Sequence, residues 1–326
     1  MKRNLILLLW ILSIPGVAQM PGVVMQVDID NWVVYNYDLP DRTAWAQSPG
    51  PTVPAPAPPA FGSSLLLADI VALNGKPAKG VAIARFTTLN LRPAPTAGQA
   101  ISDVNRSGIV DILFEFIAED GSLIGSIMSS GLNAGAAPPG APLNFPGNDV
   151  AITGGTGAYL GMRGQVSAPG PLSNIRPPRQ ASVSEDPANR RAVGGGGVFR
   201  LVLHLMPMAR PAVVSVFHSD FSPVSASSPA RVGETLITAA SGLGPTRPGV
   251  DPEQPFPASP LQEVNSPIDV TINGQAAAIV NKVGWPGTTG NYRVDFRIPD
   301  GTPSGMATIQ ISAAFINGPP AQILVQ

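Results

Sequence analysis

The sequence predicts an all-β protein, an antiparallel barrel followed by a β-sandwich. Three observations lead to this class. Gly and Pro supply 35 and 37 of the 326 residues, a share that interrupts long helices. Hydrophobic residues make up 44% of the chain and charged residues 13%, which excludes a disordered polyelectrolyte. Short alternations of apolar and polar residues, separated by turn dipeptides, recur along the chain, and this pattern is typical of strands.

The first eighteen residues have the order of a secretory signal peptide. Lys2 and Arg3 precede the apolar run 5–14, and residues 15–18, which are mostly small, follow as the region before the cleavage site. A run of about ten residues is shorter than the roughly twenty that a membrane-spanning helix needs. We therefore expect cleavage after Ala18 and no membrane span in the mature chain. The expected location is secreted or extracytoplasmic, in the periplasm or at the cell surface.

Composition restricts the function classes. Lys and Arg total 20 against 21 Asp and Glu, so no basic field exists that would concentrate nucleic acid. Cysteine is absent, which excludes thiol nucleophiles, and an exported chain without it depends on core packing for stability. Any His-based metal site or Ser–His–Asp relay would have to use His204 or His218. No cofactor is expected.

Alternation predicts the barrel strands, which we place at 23–37, 64–73, 80–91, 109–118, 122–129 and 198–206. In the first of them, Val33 and Tyr35 fall on the same face as Val27 if the period of two is unbroken. Asn74-Gly75 predicts a tight hairpin turn. The stretches 133–148 and 167–197 are rich in Pro, Gly and polar residues and are predicted to be loops.

Shorter strands are predicted in the second half, at 232–239, 267–273, 276–283, 291–298 and 306–315. Turns are predicted at Asn273-Gly274, Asp300-Gly301 and Asn317-Gly318, at the spacing of an antiparallel sandwich. The predicted divisions are a signal peptide at 1–18, a barrel domain with Pro-rich loops at 19–210, and a sandwich domain at 211–326.

Polar residues on two barrel strands are the candidates for ligand binding. Asp28 and Asp30 share one face of the first strand, and Arg200 and His204 lie opposite a row of leucines on the last. The sequence leaves open whether these faces point into the barrel or into solvent. No catalytic residue is assigned.

A calcium loop is a further hypothesis. The stretch DVNRSGIVD offers Asp103, Asn105, Ser107 and Asp111 at calcium-loop spacing, but Phe114 stands where the bidentate carboxylate belongs. An Asx-type turn that opens a hairpin is the alternative.

Glycines in ITGGTGAYLG, residues 152–161, have the spacing of a dinucleotide-binding loop. Such a loop must lead into a helix, whereas Arg163-Gly164 and a Pro-rich stretch follow here. A β-turn between strands is therefore predicted.

The second half resembles an uncharacterised C-terminal domain family of exported proteins from Solibacter-type soil bacteria. The resemblance is carried by RVGETLIT (231–238), SGLGPTRP (241–248) and YRVDFRIPDGTPS (292–304). It implies an immunoglobulin-like sandwich, usually appended to other modules and without known catalytic residues.

The first half is similar to the allene oxide cyclase and dirigent barrel superfamily. The similarity is carried by VAITGGTGAYLGMRG, residues 150–164, and it departs from the dirigent pattern at Leu160 and Met162. It implies an eight-stranded antiparallel barrel. No catalytic or ligand-contacting residue of either family aligns with this chain.

Together these observations predict an exported, non-enzymatic protein. The barrel would be a binding module for a small apolar ligand or a cell-envelope component, and the sandwich an attachment or spacer module. One alternative is an isomerase-like or cyclase-like enzyme, or a dirigent-like stereochemical guide, that uses the barrel cavity. Another is a purely structural envelope component. Polar residues in an apolar cavity would favour the former, and a lumen filled by side chains the latter.

Overall fold

A computed structural model of the chain describes residues 22–36, 61–89, 107–133, 148–167, 179–182 and 197–326. The signal segment 1–18 lies outside these residues. The described residues form strands and turns, and they include no helix long and apolar enough to cross a membrane. The predicted all-β class, a barrel followed by a sandwich, is confirmed.

Eight of the described strands close into an antiparallel barrel. They are β1 (Val23–Asn36), β2 (Phe61–Leu73), β3 (Lys76–Leu89), β4 (Ser107–Ile117), β5 (Leu123–Asn133), β6 (Asn148–Gly157), β7 (Arg163–Ser167) and β9 (Phe199–Met206). Each pairs with the next along the chain, apart from β7, which pairs with β9. Closure comes from β1, which pairs with both β2 and β9. The short strand β8 (Arg179–Ser182) pairs in parallel with β1 and lies inside a stretch predicted to be loop.

A bulge changes the face that β1 turns inward. Asn31 has a left-handed backbone, with φ of 53°, at the point where the register with β2 shifts. Beyond it, Trp32 packs against the barrel core, whereas Val33 and Tyr35 form a separate cluster with Leu67. The prediction that Val33 and Tyr35 continue the inward face was therefore wrong, because one extra residue reverses the alternation.

Large apolar side chains fill the barrel interior. Phe114, Phe116 and Tyr159 have no exposed surface. Their rings lie in series, with centroids 6.5 Å apart for Phe114 and Phe116 and 4.9 Å apart for Phe116 and Tyr159. Alanines on neighbouring strands, such as Ala82 beside Phe114, leave room for these rings. Eight strands enclose a space that side chains can fill, and they fill it here.

Close backbone contacts explain the glycine-rich stretch 152–161. It runs from β6 through a turn at 158–161 into β7, as the predicted β-turn requires. A Cβ at Gly155 would lie 2.3 Å from the carbonyl oxygen of Tyr159, and one at Gly164 would lie 1.9 Å from that of His204. These glycines permit neighbouring backbone segments to approach each other.

The described residues after Met206 form two further sheets. One has the order β10-β11-β17-β16-β13-β12, and the other has the order β15-β14-β18-β19 with β20 paired to β18. The longer strands are β10 (Ala212–Phe217), β11 (Thr235–Ser241), β14 (Ile268–Ile272), β16 (Ala278–Gly284), β17 (Asn291–Arg297), β18 (Gly305–Ala313) and β20 (Ala321–Val325). The shorter ones are β12 (Thr246–Arg247), β13 (Glu263–Val264), β15 (Gln275–Ala276) and β19 (Ile316–Asn317). Apolar side chains from both sheets share one core, so the two sheets form a sandwich.

The hairpin between β18 and β19 docks the sandwich on the barrel. Ala314 and Ile316 are buried in the barrel core, and Phe315 packs against it. The turn residues Ala314 and Phe315 have φ of 48° and 65°, values that cost about 1–2 kcal/mol per residue for side chains of this kind. The prediction of a turn at Asn317-Gly318 was wrong, because the turn lies at Ala314-Phe315. Burial of these residues against the barrel offsets the backbone strain that a positive φ imposes on them.

Polar contacts surround this apolar plug. The Tyr159 hydroxyl donates a buried hydrogen bond of 3.1 Å to the Ala314 carbonyl, and burial raises the pKa of the phenol, so it remains a donor. Asn74 donates to the Phe315 carbonyl at 3.0 Å. At the exposed rim, Lys76 pairs with Asp269 at 2.7 Å. The end of the barrel that carries the turns of β2–β3 and β6–β7 is thereby covered by the sandwich.

Tyr159→Phe removes the hydroxyl and leaves the Ala314 carbonyl without this donor. We expect the free energy of unfolding to fall by about 1–3 kcal/mol, the penalty for an unsatisfied buried acceptor. Chemical denaturation of the full mature chain measures it. A variant as stable as the wild type would contradict a stabilising role for this bond.

Candidate functional site

The candidate residues Asp28 and Arg200 form an ion pair across the seam that closes the barrel. They are direct cross-strand partners on β1 and β9. Arg200 donates from Nε to Asp28 Oδ1 at 2.6 Å and from Nη2 to Oδ2 at 2.7 Å. This bidentate geometry raises the pKa of the guanidinium. Since Val27 and Ile29 belong to the barrel core, Asp28 between them points outward.

His204 also lies on the outer wall. Leu203 and Leu205 are buried in the core, and the His204 side chain between them is half-buried. Its Nε2 lies 3.3 Å from the hydroxyl of Ser167 on β7, and that hydroxyl also donates to the Val202 carbonyl at 3.2 Å. His204 therefore lies four residues from Arg200 along β9, and Ser167 is its partner whereas Arg200 pairs with Asp28.

Asp30 lies beside the bulge and not in a ligand pocket. Its Oδ1 accepts the backbone N–H of Asn31 at 2.6 Å. Asp69 is its direct partner on β2 and accepts from Asn31 Nδ2 at 3.2 Å. Asn31 thus donates its backbone N–H to one carboxylate and its side-chain amide to the other. These two carboxylates would otherwise repel each other, so the arrangement stabilises the strand pair.

Two of the four calcium candidates, Asp103 and Asn105, lie outside the described residues. Ser107 begins β4, and Asp111 lies within that strand. The Asp111 carboxylate accepts from Ser130 at 2.7 Å and from Arg85 Nε at 3.1 Å. These hydrogen bonds, that from Ser130 first, lower the pKa of Asp111. No cluster of three metal-ligating His, Asp or Glu side chains occurs among the described residues.

His218 has a partner that sequence proximity did not indicate. Asp220, two residues away, accepts from the N–H and hydroxyl of Ser222. Glu234 lies beside His218 instead, with Oε1 2.6 Å from Nδ1. The turn at 218–222 and the chain entering β11 bring these groups together, and a single sequence gives no signal for that contact.

The barrel candidates whose side chains the structure describes therefore lie along its outer wall. Asp28, Arg200 and His204 alternate with core residues on their strands, and Asp111 alternates with Val110 and Phe114 on β4. Each of these side chains binds a residue of a neighbouring strand and so joins the two strands. The described part of the lumen is lined by apolar residues.

Asp28→Asn removes the charge that Arg200 binds. Because the Asp28 side chain is only 11% exposed, we expect the free energy of unfolding to fall by about 1.5–3 kcal/mol, the range for a charged hydrogen bond. The double variant Asp28→Asn, Arg200→Met should recover part of that loss, since it leaves no unpaired guanidinium. Urea unfolding of the three proteins measures both effects. A single variant as stable as the wild type would contradict this account.

Comparison with known proteins assigns no family. No protein-family model matches the chain, and no curated protein matches it. Among solved structures, a polysaccharide lyase is similar at 10% sequence identity, with 97% of this chain and 41% of that protein covered and a TM-score of 0.18. The chain thus spans less than half the length of that lyase. At this TM-score the similarity carries no argument about fold or function.

Proposed function

We propose that the chain is an exported protein whose barrel is structural and carries no catalytic site. In this proposal the barrel is a filled, rigid support, and the sandwich is an attachment or spacer module fixed to its end, with a cell-envelope component as partner. The single observation that carries the proposal is the apolar plug. Ala314 and Ile316 of the sandwich are buried in the same core that fills the barrel.

The packing favours support over ligand binding inside the barrel. A small apolar ligand in the lumen would have to displace side chains such as Phe114 and Phe116, which are fully buried. Displacing one fully buried Phe side chain forfeits about 1.5–3 kcal/mol of burial. A cyclase-like or dirigent-like role needs polar groups aimed into a cavity, whereas Asp28 and Arg200 pair on the outer wall.

The division into a barrel unit at 19–210 and a sandwich unit at 211–326 is part of the proposal. Each unit has its own large apolar core, which supports folding of each piece alone. The docked hairpin then adds stability to the barrel and fixes the orientation of the sandwich. We expect fragments 19–210 and 211–326 to be soluble, with the barrel melting at a lower temperature alone than in the full chain.

Phe315→Gly tests the docking without straining the hairpin, because glycine accepts a positive φ freely. We expect it to lower the barrel melting transition toward that of fragment 19–210. Losing one docked Phe ring corresponds to about 2 kcal/mol, or about 4–8 °C for a domain of this size. Differential scanning calorimetry of the mature chain measures the shift.

Phe221→Gly is the matched control for Phe315→Gly. Phe221 also has a positive φ, 66°, but its ring packs on Trp285 and under Arg293 within the sandwich. It should leave the barrel transition unchanged. The proposal fails if Phe315→Gly leaves that transition unchanged as well, or if neither fragment folds.

Export is tested separately. Mass spectrometry of the protein from its producing cell should give a chain that begins at Gln19, because the apolar run is too short to remain as an anchor and ends in small residues. A chain that retains Met1 in the membrane fraction would contradict export by signal cleavage.

A further inference from the structure

Three side chains of the sandwich lie in the order nucleophile, base and carboxylate. The Ser228 hydroxyl is 3.2 Å from Nε2 of His218. Nδ1 of the same ring is 2.6 Å from Oε1 of Glu234. The His218 and Glu234 side chains are 13% and 20% exposed, whereas Ser228 is exposed. The base and the carboxylate are thus shielded, and the hydroxyl is accessible to a reagent.

The carboxylate is held in place from its other side. Oε2 of Glu234 accepts the backbone N–H of Arg231 at 2.9 Å. With Oε1 directed at Nδ1, the neutral imidazole carries its proton on Nδ1 and turns the lone pair of Nε2 toward Ser228. An orienting carboxylate, a base and a hydroxyl within hydrogen-bond reach are the requirements for an activated serine.

Protonation switches the partner of Nε2. The Ser228 carbonyl is also 3.1 Å from Nε2, and a carbonyl accepts a bond only from a protonated nitrogen. When the ring is protonated, Nε2–H therefore donates a hydrogen bond to the Ser228 carbonyl. When the ring is neutral, Nε2 accepts a hydrogen bond from the Ser228 hydroxyl. The charged groups that face the ring are Glu234 and Asp220; hydrogen bonding to Glu234 is the main cause of the raised pKa of His218.

We propose that Ser228 is an activated nucleophile that takes an acyl group from an ester, with His218 as general base and Glu234 as a positioning residue. The Ser228 Oγ forms a bond to the ester carbonyl carbon, and its proton passes to Nε2. The bond from that carbon to the alcohol oxygen breaks, and the departing alkoxide takes the proton from Nε2. Water then hydrolyses the acyl-serine to a carboxylic acid and restores the hydroxyl.

The chemistry of an adjacent groove indicates an apolar, uncharged acyl group. A groove of about 370 Å³ is lined by β10, β20 and residues 224–226, with Val214, Val224 and Met306 among its walls and no charged side chain. Ser225 belongs to this lining, and its carbonyl and hydroxyl each accept the Ser228 N–H at 3.2 Å. Ser225 therefore lines the groove and is also hydrogen-bonded to the backbone of Ser228, the residue that carries the proposed nucleophile.

Slow turnover follows from the backbone around Ser228. Pro229 has no N–H to donate, and the Ser228 N–H is bound to Ser225. Neither backbone position is thus available to an oxyanion, and loss of even one such donor lowers the rate of a serine protease by roughly 10²–10³-fold. Both formation and hydrolysis of the acyl-serine pass through an oxyanion and should be slow, and the slow hydrolysis makes the adduct detectable. This inference goes beyond the proposed function, which concerns the barrel and its docking.

The test is labelling of the mature chain with a fluorophosphonate probe and with p-nitrophenyl butyrate, followed by intact mass and peptide mapping from pH 5 to pH 9. We expect one adduct, on Ser228, whose rate of formation rises with pH as His218 loses its proton. Ser228→Ala should abolish it. Ser227→Ala is the matched control, because the Ser227 hydroxyl contacts Ser225 and not His218, and it should label as the wild type does.

Glu234→Gln tests whether Glu234 positions His218 as a general base or only stabilises the fold by its hydrogen bond to His218. Removing the carboxylate should shift the pH midpoint of labelling downward and lower the plateau rate at least tenfold. His218→Asn should abolish labelling, with circular dichroism confirming that both variants are folded, and Glu234→Asp should restore part of the rate. Absence of an adduct at every pH in the folded wild type, or an adduct that survives Ser228→Ala, would overturn the proposal.

The alternative is that protonated His218 only ties the turn to β11. Because its folded pKa is raised, that tie stabilises the fold below the unfolded pKa of about 6.5 and is lost as pH rises through the folded value. Such a tie predicts a pH-dependent melting temperature without any adduct, an outcome that also overturns the nucleophile. Phe315→Gly does not touch this site, so failure of the docking proposal and failure of this one are distinguishable.

Discussion

A closed barrel of eight strands has an interior that must be filled, and this requirement organises the rest of the molecule. The strands turn one face inward, where Phe114, Phe116 and Tyr159 occupy the centre. Charged residues consequently lie on the outer wall, where Asp28 and Arg200 form an ion pair. Apolar side chains at the open end of the barrel would be exposed to solvent, and the hairpin that contains Ala314 covers them.

Local alternation predicted six of the eight barrel strands, because each of these has one apolar and one polar face, but it did not place β6 and β7. It failed where a distant contact decided the conformation. The bulge at Asn31 depends on Asp69 of the neighbouring strand, and no period-two pattern can indicate an extra residue. The turn at Ala314-Phe315 adopts positive φ, which local propensity assigns to Asn-Gly; only burial in another part of the chain makes it favourable.

The candidate residues show the same limit. Sequence placed Asp28 and Arg200 on the polar faces of their strands, but the pair is separated by 172 residues, so their contact needed the register of the barrel. For His218 the nearest carboxylate along the chain is Asp220, yet Ser222 engages it. Glu234 takes its place because Phe217, next to His218, pairs with Ile237 near the start of β11. A constellation of this kind depends on the path of the backbone, which residue spacing alone does not specify.

The use of β1 as the closing strand imposes an order on assembly. Synthesis proceeds from the N-terminus, so β1 is complete early, yet its partner β9 ends only at Met206. Until then residues 23–29 of β1 lack their partner strand, and unpaired backbone groups on a strand edge favour pairing with other chains. The plug arrives later still, since Ala314 follows Tyr159 by 155 residues. A chain shortened before residue 199 would therefore leave a strand edge of β1 unpaired and prone to aggregation. A chain shortened just after Met206 would keep all eight barrel strands but would lack the hairpin that covers one end of the barrel.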